Sequence, residues 1–436
     1  MLNNQNIFYR KKILVYGLGK SGLSTFKFLK KENEIYLFDD KKEINKNKEI
    51  KKNLINHKKL LKNNFDFIII SPGIDINKCS LRRFLKENFQ KVYTDLDIFF
   101  SSYAKNKKIT ITGTNGKSTT ARILYEVLRD QNFDVRIVGN IGNPILLEKN
   151  ITNKTIFVIE ASSYQLEYSK LFRSNISVIL NISPDHLERH KTLKNYINAK
   201  FKLVKNQTKK DYAILNTNNF YIKKEIKFQK ILPKLIKVEK HIDIKTLKKI
   251  NNPYFETDSN SENLSFIFCI VKLFKIKENL LFQTLKRFKG LKYRQQIIYQ
   301  TKDLTIINDS KATSFSSSEG LLKSLPNAKW IVGGQFKKGD KFLLSKNYCK
   351  NIKAYIFGNN KKLFINELKN KMEIVSFYNL NLLIKKIIQD IKLDKLQGHQ
   401  IIIFSPAGAS FDSFKNFEER GEYFNNIIKK NIDVKW

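Results

Sequence analysis

The sequence predicts an α/β protein built from three consecutive domains, and three observations carry that expectation. Its 436 residues fit about three domains at ~150 residues each. Short β-rich apolar runs alternate with stretches of helical period, the order that builds parallel sheets from βαβ units. Three separate series of such runs begin near residues 12, 108 and 304, each able to found one sheet.

The first series predicts strands at 12–16, 35–38 and 65–70, with a helix over 21–31 between the first two. The second places strands at 108–112, 155–160, 176–182 and 211–215, with helical period over 121–128 after the first of them. The third gives strands at 304–308, 329–332, 354–357 and 400–404. The expected domain boundaries are 1–104, 105–290 and 291–436. Residues 216–256 are dense in Lys, Ile and Asn without clear period or breakers, and no elements are placed there. There is no internal repeat.

Composition bounds the function. Hydrophobic residues at 42% and charged residues at 28% describe a chain that buries real cores rather than a disordered one. The outlier is charge: 81 Lys and Arg against 40 Asp and Glu, a net +41. Such a surplus is the footprint of a protein that meets nucleic acid or an anionic membrane. Here, however, lysine is spread over the whole chain instead of being gathered with aromatics into a patch, which favours a chain-wide compositional bias. No run reaches the ~18 apolar residues that span a bilayer, since even residues 264–274 include Lys272. The N-terminus passes from basic residues straight into a strand without a small-residue cleavage site, unlike a signal peptide. Cys79, Cys269 and Cys349 are far apart and in no metal spacing. A soluble cytoplasmic protein is expected, with no nucleic-acid or membrane partner.

The strongest local signal is Thr112-Gly113-Thr114-Asn115-Gly116-Lys117-Ser118-Thr119, placed between a strand and a helical run. In a phosphate loop the glycines let backbone N–H groups close around phosphate oxygens, the lysine meets the β- and γ-phosphates, and the hydroxyl after it can sit on Mg²⁺. The general pattern would want glycine at 111, where this chain has Ile111. A second glycine motif, Gly17-Leu-Gly19-Lys-Ser21-Gly22, also follows a strand, and Asp39 comes at the spacing of a ribose-binding acid. On those residues alone a dinucleotide oxidoreductase and a turn holding some other diphosphate both stand.

Other polar clusters sit at strand ends, where ligands collect in parallel sheets. Glu160 opens Glu160-Ala-Ser-Ser-Tyr-Gln-Leu166, and His186 lies in Asn181-Ile-Ser-Pro-Asp-His-Leu-Glu-Arg-His190. Both can converge on a metal held by Ser118. His186 and His190 are four apart, yet the metalloprotease pattern needs glutamate where Leu187 stands. Asn308-Asp-Ser-Lys-Ala-Thr313 and the stretch from Ser405 to Gly421 each offer hydroxyls and a cation at the opening of a helix, suited to a carboxylate or phosphate.

Together these stretches, from Gly17 to Gly421, closely resemble the Mur ligase family. The phosphate loop, the Glu160 segment and Asp185-His186 are the family-wide part, which folylpolyglutamate synthases share in large measure. Gly-Leu-Gly-Lys-Ser-Gly, Ser71-Pro-Gly73, Gly139-Asn-Ile-Gly142, Asn308-Asp-Ser-Lys-Ala-Thr and the Ser405 stretch point to the D-glutamate-adding branch. The resemblance implies a Rossmann-like N-terminal domain, a central phosphate-loop domain and a Rossmann-like C-terminal domain. It further implies ATP-dependent joining of D-glutamate to UDP-N-acetylmuramoyl-L-alanine through an acyl phosphate, by an enzyme that acts as a monomer.

The residue roles that follow are those the resemblance implies. ATP would be held by Gly113, Thr114, Asn115, Gly116, Lys117, Ser118 and Thr119, with Asn263, Arg294, Asp309 and Lys311 around adenine, ribose and phosphates. Mg²⁺ would be held by Ser118, Glu160, His186 and a carbamylated Lys200, and Lys117, His186 and Lys200 would be the catalytic groups. Ser21, Asp39, Ser71, Gly73 and Asn140 would form the UDP-substrate site, with Asp39 on uracil. Thr313, Lys337, Ser410 and Phe417 would receive D-glutamate. The chain departs from the family in two places: Ser259-Asn260 stands where His-Asn is frequent, and Pro184 replaces a more usual acidic residue. The alternatives are another amide ligase of the superfamily, a nucleotide-dependent nucleic-acid-binding protein and a dehydrogenase.

Overall fold

Runs of Ile, Val, Leu and Phe that are apolar at successive positions need cover on both faces, and parallel sheets flanked by helices supply it. The computed structural model, which describes residues 6–41, 48–239, 242–325, 327–393 and 398–431, contains three such sheets, one in each of three α/β domains. The first has β1 (Lys12–Tyr16), β2 (Glu34–Phe38), β3 (Phe67–Ile70) and β4 (Val92–Tyr93) in the order β2-β1-β3-β4, all parallel.

The second sheet has β5 (Lys107–Thr112), β6 (Val135–Gly139), β7 (Ile156–Glu160), β8 (Ile176–Ile179), β9 (Tyr212–Asn216) and β10 (Lys234–Val238), ordered β10-β9-β8-β5-β7-β6 and again all parallel. In the third, β11 (Gln296–Gln300), β12 (Leu304–Asn308), β13 (Ala328–Gly333), β14 (Lys353–Phe357), β15 (Glu373–Ser376) and β16 (Gln400–Ala407) run β11-β12-β16-β13-β14-β15, with β11 alone antiparallel to its neighbour.

Every strand expected from sequence is present, three of them shorter, β7 by the one residue before Ile156. β3 begins at Phe67, and β8 ends at Ile179 because Asn181 turns away to bond the phosphate loop. The five strands without a sequence expectation, β4, β6, β10, β11 and β15, all lie at sheet edges. An edge strand is covered on fewer sides, so it can do without an unbroken apolar run; β10 reads Lys-Leu-Ile-Lys-Val with both lysines exposed, while the edge strand β2 keeps the run at 35–38. In the stretch that sequence left unassigned, the helix Phe220–Phe228 precedes β10 and the helix Ile244–Ile250 follows it in the chain, while residues 240 and 241 fall outside the described ones.

By contacts the chain divides into two compact units, Met1–Glu239 with Phe266–Leu280, and Lys240–Ser265 with Leu281–Trp436. The first unit contains the first two sheets, which share a core: Ile13, Phe26, Leu96 and Phe99 pack with Val138, Phe157, Ile159 and Phe172. Phe99 meets Phe157 edge to face at 4.7 Å. Within this core Asp97 is fully buried. Its Oδ2 accepts from Thr94 N and Oγ1, and its Oδ1 accepts from the N–H groups of Lys170, Leu171 and Phe172 at 2.7–3.1 Å. One carboxylate thus fixes the chain of the second domain to a helix of the first. Asp97→Ala leaves several buried donors without an acceptor and is expected to cost about 3 kcal/mol of stability in urea unfolding; a loss below about 1 kcal/mol would contradict this role.

Candidate active site

β5 ends at Thr112, and the helix Lys117–Asp130 starts after Gly116, whose left-handed φ of +81° lets the loop close. Asn181, just beyond β8, holds that loop open: its carbonyl accepts from Thr114 N (2.9 Å) and its Oδ1 from Asn115 N (2.8 Å). Lys117 Nζ folds back onto the carbonyls of Gly113 and Thr114 at 3.0 and 2.8 Å, a cation held inside the loop at the positive end of a helix. Such a site takes an anion. At the end of β7 the Glu160 carboxylate is buried, with Oε2 accepting from Ser118 Oγ (2.6 Å) and Oε1 from Asn140 Nδ2 (2.8 Å). Asn140, expected with the UDP substrate, therefore sits beside Glu160 on the second sheet.

Lys200 lies on the inner face of the helix Leu193–Lys205 and is 1% exposed. Its Nζ donates to the Gly113 carbonyl (2.7 Å) and to Thr112 Oγ1 (3.4 Å), so Lys117 and Lys200 share one acceptor. Burial, and then the neighbouring Lys117 charge, push the Lys200 ammonium well below the usual lysine range. Tyr196, one turn earlier, bonds Thr114 Oγ1 (3.1 Å), and Lys200 lies over its ring at 4.6 Å. His186 caps the helix Leu187–His190 in the left-handed region, φ +53°. Its Nδ1 meets the Tyr164 hydroxyl at 3.0 Å, its Nε2 faces Asp185 at 3.3 Å, and its ring is 6.4 Å from that of Tyr196. His190 is buried against Ser163 Oγ (3.0 Å), and burial lowers its pKa to about 4, so the two histidines have different partners.

On the first sheet, Gly17 and Gly22 are glycine for packing: a Cβ on Gly22 would lie 1.8 Å from the Gly17 carbonyl, and one on Gly17 would be 2.9 Å from Ser71 Cβ. A Cβ on Gly19 or Gly73 would meet nothing, so these two are not required by the fold and leave room for close approach of a ligand. Asp39 binds the glycine turn itself, accepting from Leu18 N (2.5 Å) and Lys41 N (2.9 Å). Ser21 Oγ donates to the buried Asp95 (2.7 Å), and Ser71 Oγ to the Gly17 carbonyl (2.6 Å).

The second unit gathers its own cluster at the ends of β12, β13 and β16. Asp309 is buried, accepts from Ser405 Oγ (2.8 Å) and Gln295 N (3.1 Å), and is pushed up to about 7 by that burial. Gln295 in turn is fixed by Ser259, Asn260 and Thr257, so the departing Ser259-Asn260 pair supports the backbone beside Arg294. Lys311 Nζ lies 4.0 Å over the Phe417 ring, with the Arg294 guanidinium 5.9 Å from it. Asn263 is buried in the same unit. A two-way backbone bridge between Gln335 and Ala409 (2.7 and 2.9 Å) joins the loop of Lys337 to that of Ser410. Asp340 Oδ2 accepts from Phe315 N (2.7 Å), tying the Lys337 loop to the helix that follows Thr313.

Asn181, Gln295 and the Gln335–Ala409 bridge were not anticipated. A strand-end asparagine was the one available signal, and it was visible only as part of a longer motif. Among the described residues no group of three or more His, Cys, Asp and Glu is gathered as a metal cluster, and no helix is long and apolar enough to cross a membrane. Ser118 and Glu160, hard oxygens joined at a helix N-terminus, do suit Mg²⁺.

The Mur ligase middle-domain model matches residues 111–279, and the N-terminal-domain model for MurD-like Mur ligases matches 11–92. A UDP-N-acetylmuramoylalanine--D-glutamate ligase of Rickettsia bellii (strain RML369-C) is 32% identical over 443 residues, covering 96% of this chain and 97% of the relative. The chain belongs to the Mur ligase family. The ligase of the same name from Rickettsia prowazekii (strain Madrid E) is also 32% identical, over 98% of the chain and 99% of the relative. Among solved structures, UDP-N-acetylmuramate-alanine ligase MurC of Thermotoga maritima aligns with a TM-score of 0.55 at 16% identity, over 97% of this chain and all of that one. MurF ligase from the same organism, in complex with ADP, gives 0.56 at 14% identity over 99% and 98%. These two likenesses concern the Mur ligase fold.

Proposed function

We propose that this Mur ligase joins D-glutamate to UDP-N-acetylmuramoyl-L-alanine with ATP, giving ADP and phosphate, in cytoplasmic peptidoglycan precursor synthesis and as a monomer. The observation that carries this reading is the end-to-end similarity to relatives bearing that activity in their names. The three sheets would serve three ligands: residues 1–104 the UDP substrate, 105–290 ATP and 291–436 the amino acid.

The alanyl carboxylate attacks the γ-phosphorus, ADP leaves, and an acyl phosphate remains. The D-glutamate amine then attacks the acyl carbon, loses a proton and expels phosphate as the amide forms. The first step brings anion to anion, so fixed cations must offset the repulsion. Lys117 serves the β- and γ-phosphates from inside the loop that Asn181 holds open. Ser118, Glu160, His186 and carbamylated Lys200 would hold Mg²⁺, which when bound screens the phosphate charge. Carbamylation requires a neutral amine, and the depressed Lys200 supports it: Nζ bonds the carbon of CO₂, a C=O π pair moves onto oxygen, the nitrogen loses a proton, and the carbamate so formed would offer its oxygens as ligands. Asn263, Arg294, Asp309 and Lys311 complete the ATP contacts. Ser21, Asp39, Ser71, Gly73 and Asn140 serve the UDP substrate, and Thr313, Lys337, Ser410 and Phe417 serve D-glutamate, whose carboxylates suit a lysine and hydroxyls.

The test is phosphate release with UDP-N-acetylmuramoyl-L-alanine and ATP while D-Glu, L-Glu and L-Lys are varied. Release that depends on D-Glu alone is expected; release with L-Lys or L-Glu instead would assign another amide ligase.

A further inference from the structure

Arg189 has no role in the chemistry above, yet its side chain is only 7% exposed. A guanidinium withdrawn that far from water needs partners for its donors. Its Nε donates to Glu167 Oε2 (2.9 Å) and its Nη2 to the Ile74 carbonyl (2.6 Å). Its plane lies against two rings, Tyr164 at 5.2 Å and Tyr168 at 5.5 Å.

These partners lie at two ends of the proposed reaction path. Ile74 closes the turn 71–74 of the first domain, its N–H donating to the Ser71 carbonyl (3.0 Å), and Ser71 in turn anchors on Gly17. Tyr164 and Glu167 belong to the helix Ser163–Glu167 after β7, and the Tyr164 hydroxyl is the group that meets His186 Nδ1. Arg189 itself sits on the short helix that His186 caps. Lys78 Nζ makes a second tie between the same segments, donating to the Glu188 carbonyl (3.3 Å). Adhesion of the two domains does not need Arg189, since Asp97 and the shared aromatic core already supply it.

We infer that Arg189 is a positioning residue that couples the turn 71–74 to the loop of His186, so that occupation of the UDP-substrate site sets the His186 ring for reaction. The inference rests on the proposed function. The rigid fork of arginine fits this task because its donors point at two partners at once; a lysine offers a single centre.

The full-length chain and its Arg189→Met and Arg189→Lys variants test it. Wild-type phosphate release that depends on D-glutamate must be seen first; its absence removes the proposed function, not the coupling alone. Given that release, Arg189→Met is expected to raise KM for the UDP substrate about tenfold and lower kcat about tenfold, with KM for ATP changed by less than about twofold. Arg189→Lys retains stem and charge and is expected to show the same split with smaller amplitude, which carries the test should the Met variant not fold. In the ¹⁵N spectrum of the five histidines, UDP-N-acetylmuramoyl-L-alanine added alone should shift His186 in the wild type and not in the variant. Unchanged constants in both variants, a drop in melting temperature alone, or the same His186 shift in wild type and variant would overturn the coupling.

Discussion

Lys117→Ala is expected to lower kcat/KM roughly a thousandfold or more, in the range seen when a cation is withdrawn from a phosphoryl-transfer site, while the melting temperature stays near that of the parent. The reason is where the side chain ends. Its Nζ donates to loop carbonyls, those of Gly113 and Thr114, and the side chain belongs to none of the apolar cores. Removing it is expected to cost the fold little but to leave the proposed meeting of carboxylate and triphosphate without the cation the loop supplies. Initial rates of phosphate release and a thermal melt on the same preparation check both halves. Retained turnover, or a variant that fails to fold, would refute the assignment.

Lys200→Ala is expected to lower kcat roughly 10²–10³-fold, with part of the activity returned by millimolar formate or acetate, since a small carboxylate can replace the oxygen ligand lost with the carbamate. The proposed carbamate can be observed directly. Protein equilibrated with ¹³C-bicarbonate should give one carbamate resonance that Lys200→Arg lacks. The pH direction follows from the depressed amine: CO₂ adds to the neutral form, so the carbamate should form at pH values where an ordinary surface lysine stays protonated. Full activity in Lys200→Ala would be decisive against the role.

How far the sequence reaches depends on how local the signal is. The phosphate loop, the glycine turn and Glu160 were legible because each is a contiguous run at the end of an apolar strand, and the structure puts each at that strand end. The interior strands were legible for the same reason. Five of the six edge strands were not, because partial cover relaxes the need for the apolar run that announces a strand; the sixth, β2, was legible because residues 35–38 keep that run. Contacts across long separations were also hidden. Asn181 meets Asn115 across 66 positions and Asp97 meets Phe172 across 75, and neither pairing leaves a mark in local composition.

Asn140 shows the limit from the other side. Its motif, Gly139-Asn-Ile-Gly142, was singled out only through the family resemblance, with Asn140 expected at the UDP substrate, and only the fold reveals that its amide donates to Glu160. Lys200 is the opposite case: among so many lysines it carries no signal of its own, and only its family position singles it out. The structure supplies the physical distinction, a lysine 1% exposed with its amine on the Gly113 carbonyl. The +41 charge takes a modest place in this account: the proposed function gives Lys117, Lys200, Arg294, Lys311 and Lys337 specific work, and the diffuse remainder can raise the local concentration of anionic substrates.

The most direct measurement is phosphate release by the purified chain with ATP, Mg²⁺ and UDP-N-acetylmuramoyl-L-alanine, begun by adding one amino acid at a time. Release that starts with D-glutamate and yields one UDP-sugar dipeptide product per phosphate is the predicted result. No response to D-glutamate, or an equal response to L-lysine, would contradict the central claim.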